Sequence, residues 1–295
     1  MRGVFGIKNQ RRVAAVHDIS CFGRCSLTVA LPIISAAGIE CCVMPTAILS
    51  THTGGFDGYT FRDLTDDLTP TAEHWSRLGI SFDAVYTGFL GSFEQLAIVS
   101  DIIDRFKTDK NLVLIDPVMA DNGQLYSIFP DSFPDGMRRL CKKADVLVPN
   151  VTEAAFLTGV KYLEGPYGES YIAELLGETE KLGVKNIVLT GVHFDDSELG
   201  AAVYDAATKK ISYAMGQRIE GYYHGTGDVF GSAFLSALLC GKDHLEAAQI
   251  AVDFTVGSIK RTKEAMTDVR YGVNFEAGLG ELAVRCRQTV GAPRG

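Results

Sequence analysis

The sequence lacks the long apolar runs and the basic clusters that are typical of membrane proteins and nucleic-acid-binding proteins. Residues 25–39 are largely apolar, but Ser26, Thr28, Pro32 and Ser35 interrupt them, and they are fewer than the roughly 20 residues that span a bilayer. The formal net charge is −8, from 36 acidic and 28 basic residues. Because no basic cluster offsets this charge, the composition argues against a nucleic-acid or membrane-surface partner and favours a small molecule.

Cysteine pairs with the spacing of disulfide or metal sites are also absent. The seven cysteines are odd in number and contain no CxxC pair. Cys21 and Cys25 have no second pair of ligands nearby, so free thiols are favoured over a zinc site. The basic N-terminus is followed only by the short apolar run VAAV, which is too brief for a secretory signal. We therefore expect a soluble, cytoplasmic protein.

The common nucleotide-binding and catalytic motifs are missing as well. The chain contains no GxxxxGK[ST] loop, no GxGxxG after its first predicted strand, no kinase HRD motif and no metalloprotease HExxH motif. A nucleotide would therefore have to bind by another scheme.

A glycine-rich turn late in the chain leads directly into an apolar helix. Gly225, Thr226, Gly227 and Asp228 precede a segment of small and apolar residues that ends at Gly241. Glycines let the backbone bend without a Cβ clash, so that consecutive N–H groups point at one spot before the positive end of the helix. Thr226 would add a hydroxyl donor, and Asp228 would lie in the first turn, facing a bound anion. A helix cap with glycines used only for close packing explains the same residues equally well.

Short apolar strands alternate with longer helical patterns along the chain. The predicted strands cover residues 12–16, 39–49, 84–86, 113–115, 146–148 and 187–189, and the predicted helices cover residues 25–37, 93–106 and 133–142. This alternation predicts parallel strands with helical crossovers, in one domain over residues 12–290 with loose termini at 1–11 and 291–295. Residues 201–204 and 211–215 predict an antiparallel hairpin that extends the sheet.

Three further local features are expected. Residues 18–20 are polar and predict a loop after the first strand, and residues 50–55 predict a flexible segment that could act as a lid. Asp243, with Glu246 three residues later, predicts a capped helix to about Lys263, packed against the glycine-turn helix.

Polar residues follow several of the predicted strands. Asp116 comes directly after one strand, Asn150 after the next, and Thr190 with Gly191 after another. The ligand crevice of an open parallel sheet lies beyond the carboxyl ends of its strands, so we expect these residues to meet there.

Asn150 and Glu153 lie three residues apart at the start of a predicted helix and should therefore face the same way. An amide and a carboxylate suit Mg²⁺ with its water shell, although a helix cap followed by a first-turn acid explains the pair at least as well. Asp116 and Asp121 offer further carboxylates, but Asp121 also begins an ordinary turn.

Six motifs occur in order between Val13 and Lys263. They are Ser50 to Thr53, Thr87 to Ser92, DPVM from Asp116, NVTEAAFLTG from Asn150, Thr190 with Gly191, and GTGDVFGSAF from Gly225. Together they resemble the ribokinase-like superfamily and, within it, the pyridoxal kinases. The resemblance implies an α/β three-layer sandwich with a mostly parallel central sheet, helices on both faces and a small antiparallel extension. It also implies a homodimer that uses ATP and Mg²⁺ to phosphorylate the 5′-hydroxymethyl group of pyridoxal, pyridoxine or pyridoxamine.

The resemblance also implies roles for individual residues. Asp228 corresponds to the catalytic base, and Gly225, Thr226 and Gly227 to the anion hole. Phosphoryl transfer depends on positioning and charge neutralisation, which suits this set. A carboxylate at a helix N-terminus should be held anionic and so be a weak base, and we therefore expect Asp228 to orient the hydroxyl and take its proton late.

The remaining implied roles concern the nucleotide, the metal and the vitamin. Asp116 and Glu153 correspond to metal positions, and the nucleotide and its phosphates would contact Asn150, Glu153, Thr190, Gly191, Thr226, Asp121 and Tyr126. His52 and Thr53 correspond to contacts with the pyridine ring, although a lone His in a polar loop is equally often a surface residue.

Two residues depart from the pyridoxal kinase pattern. Phe89 stands where some relatives have tyrosine, and Asp18 stands where well-known pyridoxal kinases have serine near the ring. The Asp-x-Ser setting of Asp18 resembles relatives that phosphorylate hydroxymethylpyrimidine, whereas Asp228 favours the pyridoxal kinases. A hydroxymethylpyrimidine kinase and a non-catalytic B6-binding protein are the alternatives to a pyridoxal kinase.

Overall fold

A nine-stranded sheet forms the centre of the computed structural model, which describes residues 10–288. The strands in the described residues are β1 (Arg12–Phe22), β2 (Glu40–Thr51), β3 (Phe61–Asp63), β4 (Ala84–Thr87), β5 (Leu112–Ile115), β6 (Ala120–Asp121), β7 (Gln124–Leu125), β8 (Val146–Leu147), β9 (Asn186–Val192), β10 (Glu198–Asp205) and β11 (Lys210–Gln217). The predicted loose termini, residues 1–11 and 291–295, lie outside the described residues except for Gln10 and Arg11.

The order of strands across the sheet is β11-β10-β9-β8-β5-β4-β1-β2-β3, and β6 pairs with β7 as a separate hairpin. The six strands from β9 to β2 in this order are parallel, while β3, β10 and β11 each join the sheet through an antiparallel pair. The predicted mostly parallel sheet with an antiparallel extension is therefore confirmed. The chain reverses its direction of travel between β1 and β4, which is where the ligand crevice of such a sheet opens.

Helices cover both faces of the sheet, as predicted. They are α1 (Leu27–Ala36), α2 (Thr65–Arg77), α3 (Phe93–Phe106), α4 (Phe133–Cys141), α5 (Val151–Thr158), α6 (Glu169–Glu180), α7 (Thr226–Leu239), α8 (His244–Glu264) and α9 (Leu279–Arg287). Helices α2 to α6 enclose one apolar core, and α1, α7, α8 and α9 enclose the other. Central strands alternate between the two cores: Val113 and Ile115 face one, and Leu114 faces the other. Burial on both sides explains why these strands are apolar throughout.

The glycine-turn helix α7 packs along α8, as predicted. Asp243 caps α8 by accepting a 2.8 Å hydrogen bond from the main-chain N–H of Glu246. Within residues 10–288, the helices are too short or too polar to span a bilayer.

The first strand is longer than predicted. Residues 18–20 belong to β1, because Ile19 and Ser20 pair with Ile48 and Leu49 after an irregularity between His17 and Ile19. The expected loop at Asp18 is therefore wrong. Likewise Ser50 and Thr51 are the end of β2, so that the irregular segment begins only at His52.

Candidate active site

The glycine turn before α7 is fixed by a close backbone contact. Gly225 has a φ of 75°, and a Cβ atom there would lie 2.0 Å from the main-chain oxygen of Arg24. Gly227 differs, because it has no left-handed backbone and a Cβ would meet no atom within 4 Å. The expectation that both glycines are needed for the bend is therefore wrong for Gly227, because a side chain at this position would extend into open space.

The first turn of α7 has no side-chain cap, in contrast with α5 and α8. Thr226 was expected to offer its hydroxyl, but that hydroxyl donates to the main-chain oxygen of Tyr223 at 3.2 Å. The main-chain N–H groups of Thr226, Gly227 and Asp228 find no acceptor among the described residues. Such a helix start carries partial positive charge and suits an anion.

Asp228 lies in this first turn and is partly exposed. Its Oδ2 accepts a 2.8 Å hydrogen bond from the main-chain N–H of Ser26. Burial raises the pKa of Asp228 to about 7, and the negative charge of Asp18 adds to the rise, while the Ser26 N–H opposes it. The expectation that the helix start keeps Asp228 strongly acidic is therefore wrong, because loss of water outweighs the donors.

Asp18 is buried in β1 behind Asp228. Its two carboxylate oxygens accept hydrogen bonds from the hydroxyls of Ser26 (2.5 Å) and Ser20 (3.2 Å). Burial raises the pKa of Asp18 in spite of these two donors. A buried carboxyl group at the crevice is a polar recognition element for a ligand.

Asn150 and Glu153 form a capping box at the start of α5. The Asn150 side chain accepts from the N–H of Glu153, the Glu153 carboxylate accepts from the N–H of Asn150, and both distances are 2.8 Å. Glu153 also accepts a hydrogen bond from the N–H of Met119 at 3.2 Å. The prediction of a helix cap is thus confirmed. The same two residues lie beyond the carboxyl ends of β8 and β5, where Glu153 contacts Met119.

The crevice collects carboxylates that have no basic partner. In the described residues, none of Asp116, Asp121, Glu153 and Asp228 forms a salt bridge. Burial is the main cause of the raised pKa values of Asp116 and Glu153. The charge of Asp228 adds to the rise at Asp116, and the charge of Asp116 adds to the rise at Glu153. An oxygen-rich, uncompensated set of this kind fits Mg²⁺. Within residues 10–288 no three potential ligands lie close enough to form a protein-only site, so phosphate and water oxygens would have to complete the shell.

The β6–β7 hairpin closes one side of the crevice. Oδ2 of Asp121 accepts a 2.9 Å hydrogen bond from the hydroxyl of Tyr222, which precedes the glycine turn. Tyr126 is 38% exposed just after this hairpin. Thr190 and Gly191 lie near the end of β9, and the hydroxyl and N–H of Thr190 both donate to the main-chain oxygen of Pro149, at 3.4 and 2.8 Å.

His52 is not the mobile residue that its polar neighbours suggest. It is only 6% exposed. Its Nδ1 accepts from the N–H of Gly54 at 3.1 Å, so Nε2 carries the proton and donates to the main-chain oxygen of Arg270 at 2.5 Å. Thr53 beside it is exposed, and the Phe89 ring packs on Phe129 with centroids 5.8 Å apart.

No sequence motif indicates a cavity of about 320 Å³ beside the segment that leads into the glycine turn. Its lining comes from the end of β11, the following loop and the second half of α8. The lining residues are Gln217, Arg218, Ile219, Glu220, Lys260, Lys263 and Glu264.

The fold and the uncapped glycine turn together define a kinase of the ribokinase-like superfamily. Residues 31–273 match the family described as phosphomethylpyrimidine kinase, and the chain belongs to this family. It is 27% identical over 240 residues to a pyridoxal kinase of Dictyostelium discoideum, covering 76% of this chain and 77% of the relative.

Solved structures agree with this assignment. A pyridoxal kinase of Lactobacillus plantarum is 30% identical, with a TM-score of 0.85 and coverage of 93% of this chain and 97% of that one. A proposed phosphomethylpyrimidine kinase of Bacteroides thetaiotaomicron, crystallised with pyridoxal, is 36% identical, with a TM-score of 0.87 and coverage of 92% and 96%. The resemblance to pyridoxal kinases inferred from the six motifs is confirmed.

Proposed function

We propose that this protein transfers the terminal phosphoryl group of ATP to the 5′-hydroxymethyl group of pyridoxal, pyridoxamine or pyridoxine. The observation that carries the proposal is the position of Asp228, a carboxyl group with a pKa of about 7, beside three uncapped N–H groups at the start of α7. A base and an anion site are the two parts that transfer of a phosphoryl group to an alcohol needs. The pyridoxal kinases among the relatives, and the pyridoxal bound to the Bacteroides protein, support the choice of alcohol.

Asp228 orients the acceptor hydroxyl and takes its proton. The Ser26 N–H fixes one of its oxygens, which leaves the other for the substrate. With a pKa of about 7, a large share of Asp228 is ionised at neutral pH, while its basicity exceeds that of an ordinary carboxylate. The N–H groups of Thr226, Gly227 and Asp228 stabilise the charge of the phosphoryl group in transfer.

The nucleotide lies along the crevice from the cavity to the glycine turn. The cavity of about 320 Å³ is large enough for the base and ribose, and its wall carries Lys260 and Lys263 beside Glu220 and Glu264. Towards the turn, the phosphates pass the residues that end the neighbouring strands and the hairpin. These residues are Asn150, Glu153, Thr190, Gly191, Asp121 and Tyr126.

Asp116 and Glu153 would hold Mg²⁺, in part through its water molecules. The ion would supply charge neutralisation for the triphosphate, which this acidic crevice needs. The capping box keeps the Glu153 carboxylate in place before any ion binds.

The vitamin ring lies between Asp18 and the segment from His52 to Thr60. Asp18 supplies a buried carboxyl group that can bond to a ring nitrogen or an amine. The two nitrogens of His52 are occupied by main-chain groups, so His52 shapes this wall and Thr53 supplies the free polar group. Phe89 lines the opposite side through its aromatic ring, which packs at a tilt of 35° against Phe129.

We further propose that residues 12–290 form one domain and that the protein is a cytoplasmic homodimer. The apolar side chains of Phe61 and Ile48, which are 50% and 37% exposed near the β3 edge, support a self-association surface. Light scattering at several concentrations would report the mass, and a monomer throughout would contradict the dimer.

A hydroxymethylpyrimidine (phosphate) kinase is the second candidate, because the matching family is described as phosphomethylpyrimidine kinase and Asp18 lies in the Asp-x-Ser sequence that resembles such relatives. The deciding experiment measures ATP consumption with pyridoxal, pyridoxine, pyridoxamine and hydroxymethylpyrimidine side by side. We expect the highest kcat/KM with a B6 vitamer. A preference for hydroxymethylpyrimidine would replace the proposal, and no turnover with any of the four would favour a non-catalytic binding protein.

A further inference from the structure

Ser26 touches both acids of the crevice. Its main-chain N–H donates to Oδ2 of Asp228 at 2.8 Å, and its hydroxyl donates to Oδ1 of Asp18 at 2.5 Å. The two acids are 210 positions apart in the chain, on β1 and α7. One residue thus connects the group placed at the substrate ring with the group placed at the reacting hydroxyl.

The backbone of Ser26 is strained. It has a φ of 56° and a ψ of −131°, a region that glycine enters freely and that an L-residue with a Cβ avoids. Strain of this kind persists only where the surrounding structure enforces it, and it concentrates at functional sites. On local conformation alone, glycine would suit this position better than serine.

The hydroxyl of Ser26 is also diverted from its usual local role. Ser26 is the N-cap of α1, where a serine oxygen ordinarily accepts from an N–H in the first turn. No such bond forms here, and the N–H groups of Val29 and Ala30 use the main-chain oxygen of Ser26 instead. The side chain neither relieves the backbone nor caps the helix, and its one partner is Asp18.

The loop that carries Ser26 is held from both sides. The N–H of Arg24 donates to the main-chain oxygen of Tyr271 at 3.0 Å, and its guanidinium pairs with Glu276 at 2.5 Å. The Thr28 hydroxyl donates to the main-chain oxygen of Cys25 at 2.7 Å. Ser26 itself is 7% exposed, so its two hydrogen bonds are shielded from water.

We propose that Ser26 is a positioning residue that couples Asp18 to Asp228, and that its strained backbone is retained because only a side chain here can make the link. The proposal rests on the proposed kinase function. Ser26 sets the spacing between the acid that holds the ring and the acid that meets the 5′-hydroxyl. Loss of the hydroxyl frees Asp18 to move, and a small displacement of a bound substrate lowers the rate of transfer.

The test compares Ser26→Gly with Ser26→Ala. Both remove the hydroxyl and keep the N–H that binds Asp228, but only glycine relieves the strain. We expect both variants to lower kcat by about 10- to 100-fold with the KM for ATP unchanged. We also expect Ser26→Gly to melt about 2 to 4 °C above Ser26→Ala. If Ser26 had only a structural role, kcat and melting temperature would change together. We expect instead that Ser26→Gly, although more stable, loses as much kcat as Ser26→Ala.

Three further variants complete the design. Met266→Gly is the matched control, because Met266 has a φ of 50° and is 89% exposed, so we expect higher stability and unchanged kcat. The single variant Asp18→Asn and the double variant of Ser26→Ala with Asp18→Asn complete a cycle with Ser26→Ala and the unaltered protein. We expect the double variant to lose less kcat than the two single effects combined.

Full activity in Ser26→Gly or Ser26→Ala would overturn the proposal, and so would additive effects in the double variant. If the unaltered protein phosphorylates no vitamer, the proposed function fails. The four proteins of this cycle then still decide the coupling through their melting temperatures, where additive losses would disprove it.

Discussion

Asn150 and Glu153 each donate a main-chain N–H to the side chain of the other, at 2.8 Å in both directions. The pair therefore begins α5 and, at the same time, holds a buried carboxylate at the crevice. A structural role and a proposed metal role coincide in Glu153, so experiments have to separate them.

Exchange of Glu153 for glutamine separates the two roles. Glu153→Gln keeps one oxygen acceptor for the Asn150 N–H but removes the charge and the second acceptor, which takes the Met119 N–H, so we expect the free energy of unfolding to fall by about 1 to 3 kcal/mol. We expect the Mg²⁺ concentration for half-maximal activity to rise at least about 10-fold, because an oxygen-seeking ion loses an anionic partner. Glu246→Gln is the control, since Glu246 occupies the same position after the cap of α8. Equal Mg²⁺ dependence in both variants would remove Glu153 from the metal site.

Asp228→Asn should abolish most of the turnover. Asparagine can still accept from the Ser26 N–H but takes no proton, and loss of a general base typically costs about 10²- to 10⁴-fold in rate. We expect kcat to fall within this range and the dissociation constant for ATP, measured by calorimetry, to stay within about twofold. Asp66→Asn, an exposed first-turn acid of α2, should leave both unchanged. Normal turnover in Asp228→Asn would remove the base assignment.

The pH dependence of activity follows from the pKa of Asp228, which is raised to about 7. The base works only when ionised, so kcat/KM for the vitamer should rise with pH and level off above about 7. An acidic limb near pH 4 instead would mean that the helix start dominates over burial.

Stability should show the opposite trend. The pKa of Asp228 is higher in the folded protein than in the unfolded chain, so unfolding releases a proton between about pH 4 and pH 7. This contribution to stability is complete below about pH 4 and disappears as the pH rises through about 7. The melting temperature of the unaltered, ligand-free protein should therefore decline relative to that of Asp228→Asn across this window. A constant difference between the two would show that the pKa is not raised.

His52 should control the order of the segment around Gly54. In His52→Ala, the Gly54 N–H loses its acceptor and the main-chain oxygen of Arg270 loses its donor. We expect faster hydrogen exchange over residues 52–60, a higher KM for the vitamer and unchanged ATP affinity. A higher KM without faster exchange would instead favour direct contact between His52 and the pyridine ring.

Strong local patterns made much of the sheet and several helices predictable. Helix α3 has the predicted bounds, because Ser92 caps it with a 3.1 Å bond from the N–H of Gln95 and its apolar residues recur at helical spacing. Helix α2 escaped prediction because it buries only Thr65, Leu68 and Ala72, too few for a clear apolar stripe. The extension of β1 was not predictable from the sequence, because its pairing with β2 overrides the polar character of residues 18–20.

The candidate site was predictable where single residues mark the ends of strands. Asp116, Asn150 and Thr190 are polar residues at or just beyond the carboxyl ends of apolar strand patterns, and the structure places all three at one edge, with Thr190 still inside β9. The place of Ser26 in the site was not predictable. Its hydrogen bond to Asp228 joins residues 202 positions apart, and the sequence does not indicate its strained φ. The raised pKa of Asp228 likewise depends on packing that a linear motif does not contain.

The bare first turn of α7 links ligand binding to the integrity of the protein. With no side chain to complete it, this turn carries three donors that have no acceptor among the described residues and that a bound anion can satisfy. A phosphate group bound there would act as the missing cap of the helix. Nucleotide affinity and thermal stability would then both depend on the same three N–H groups.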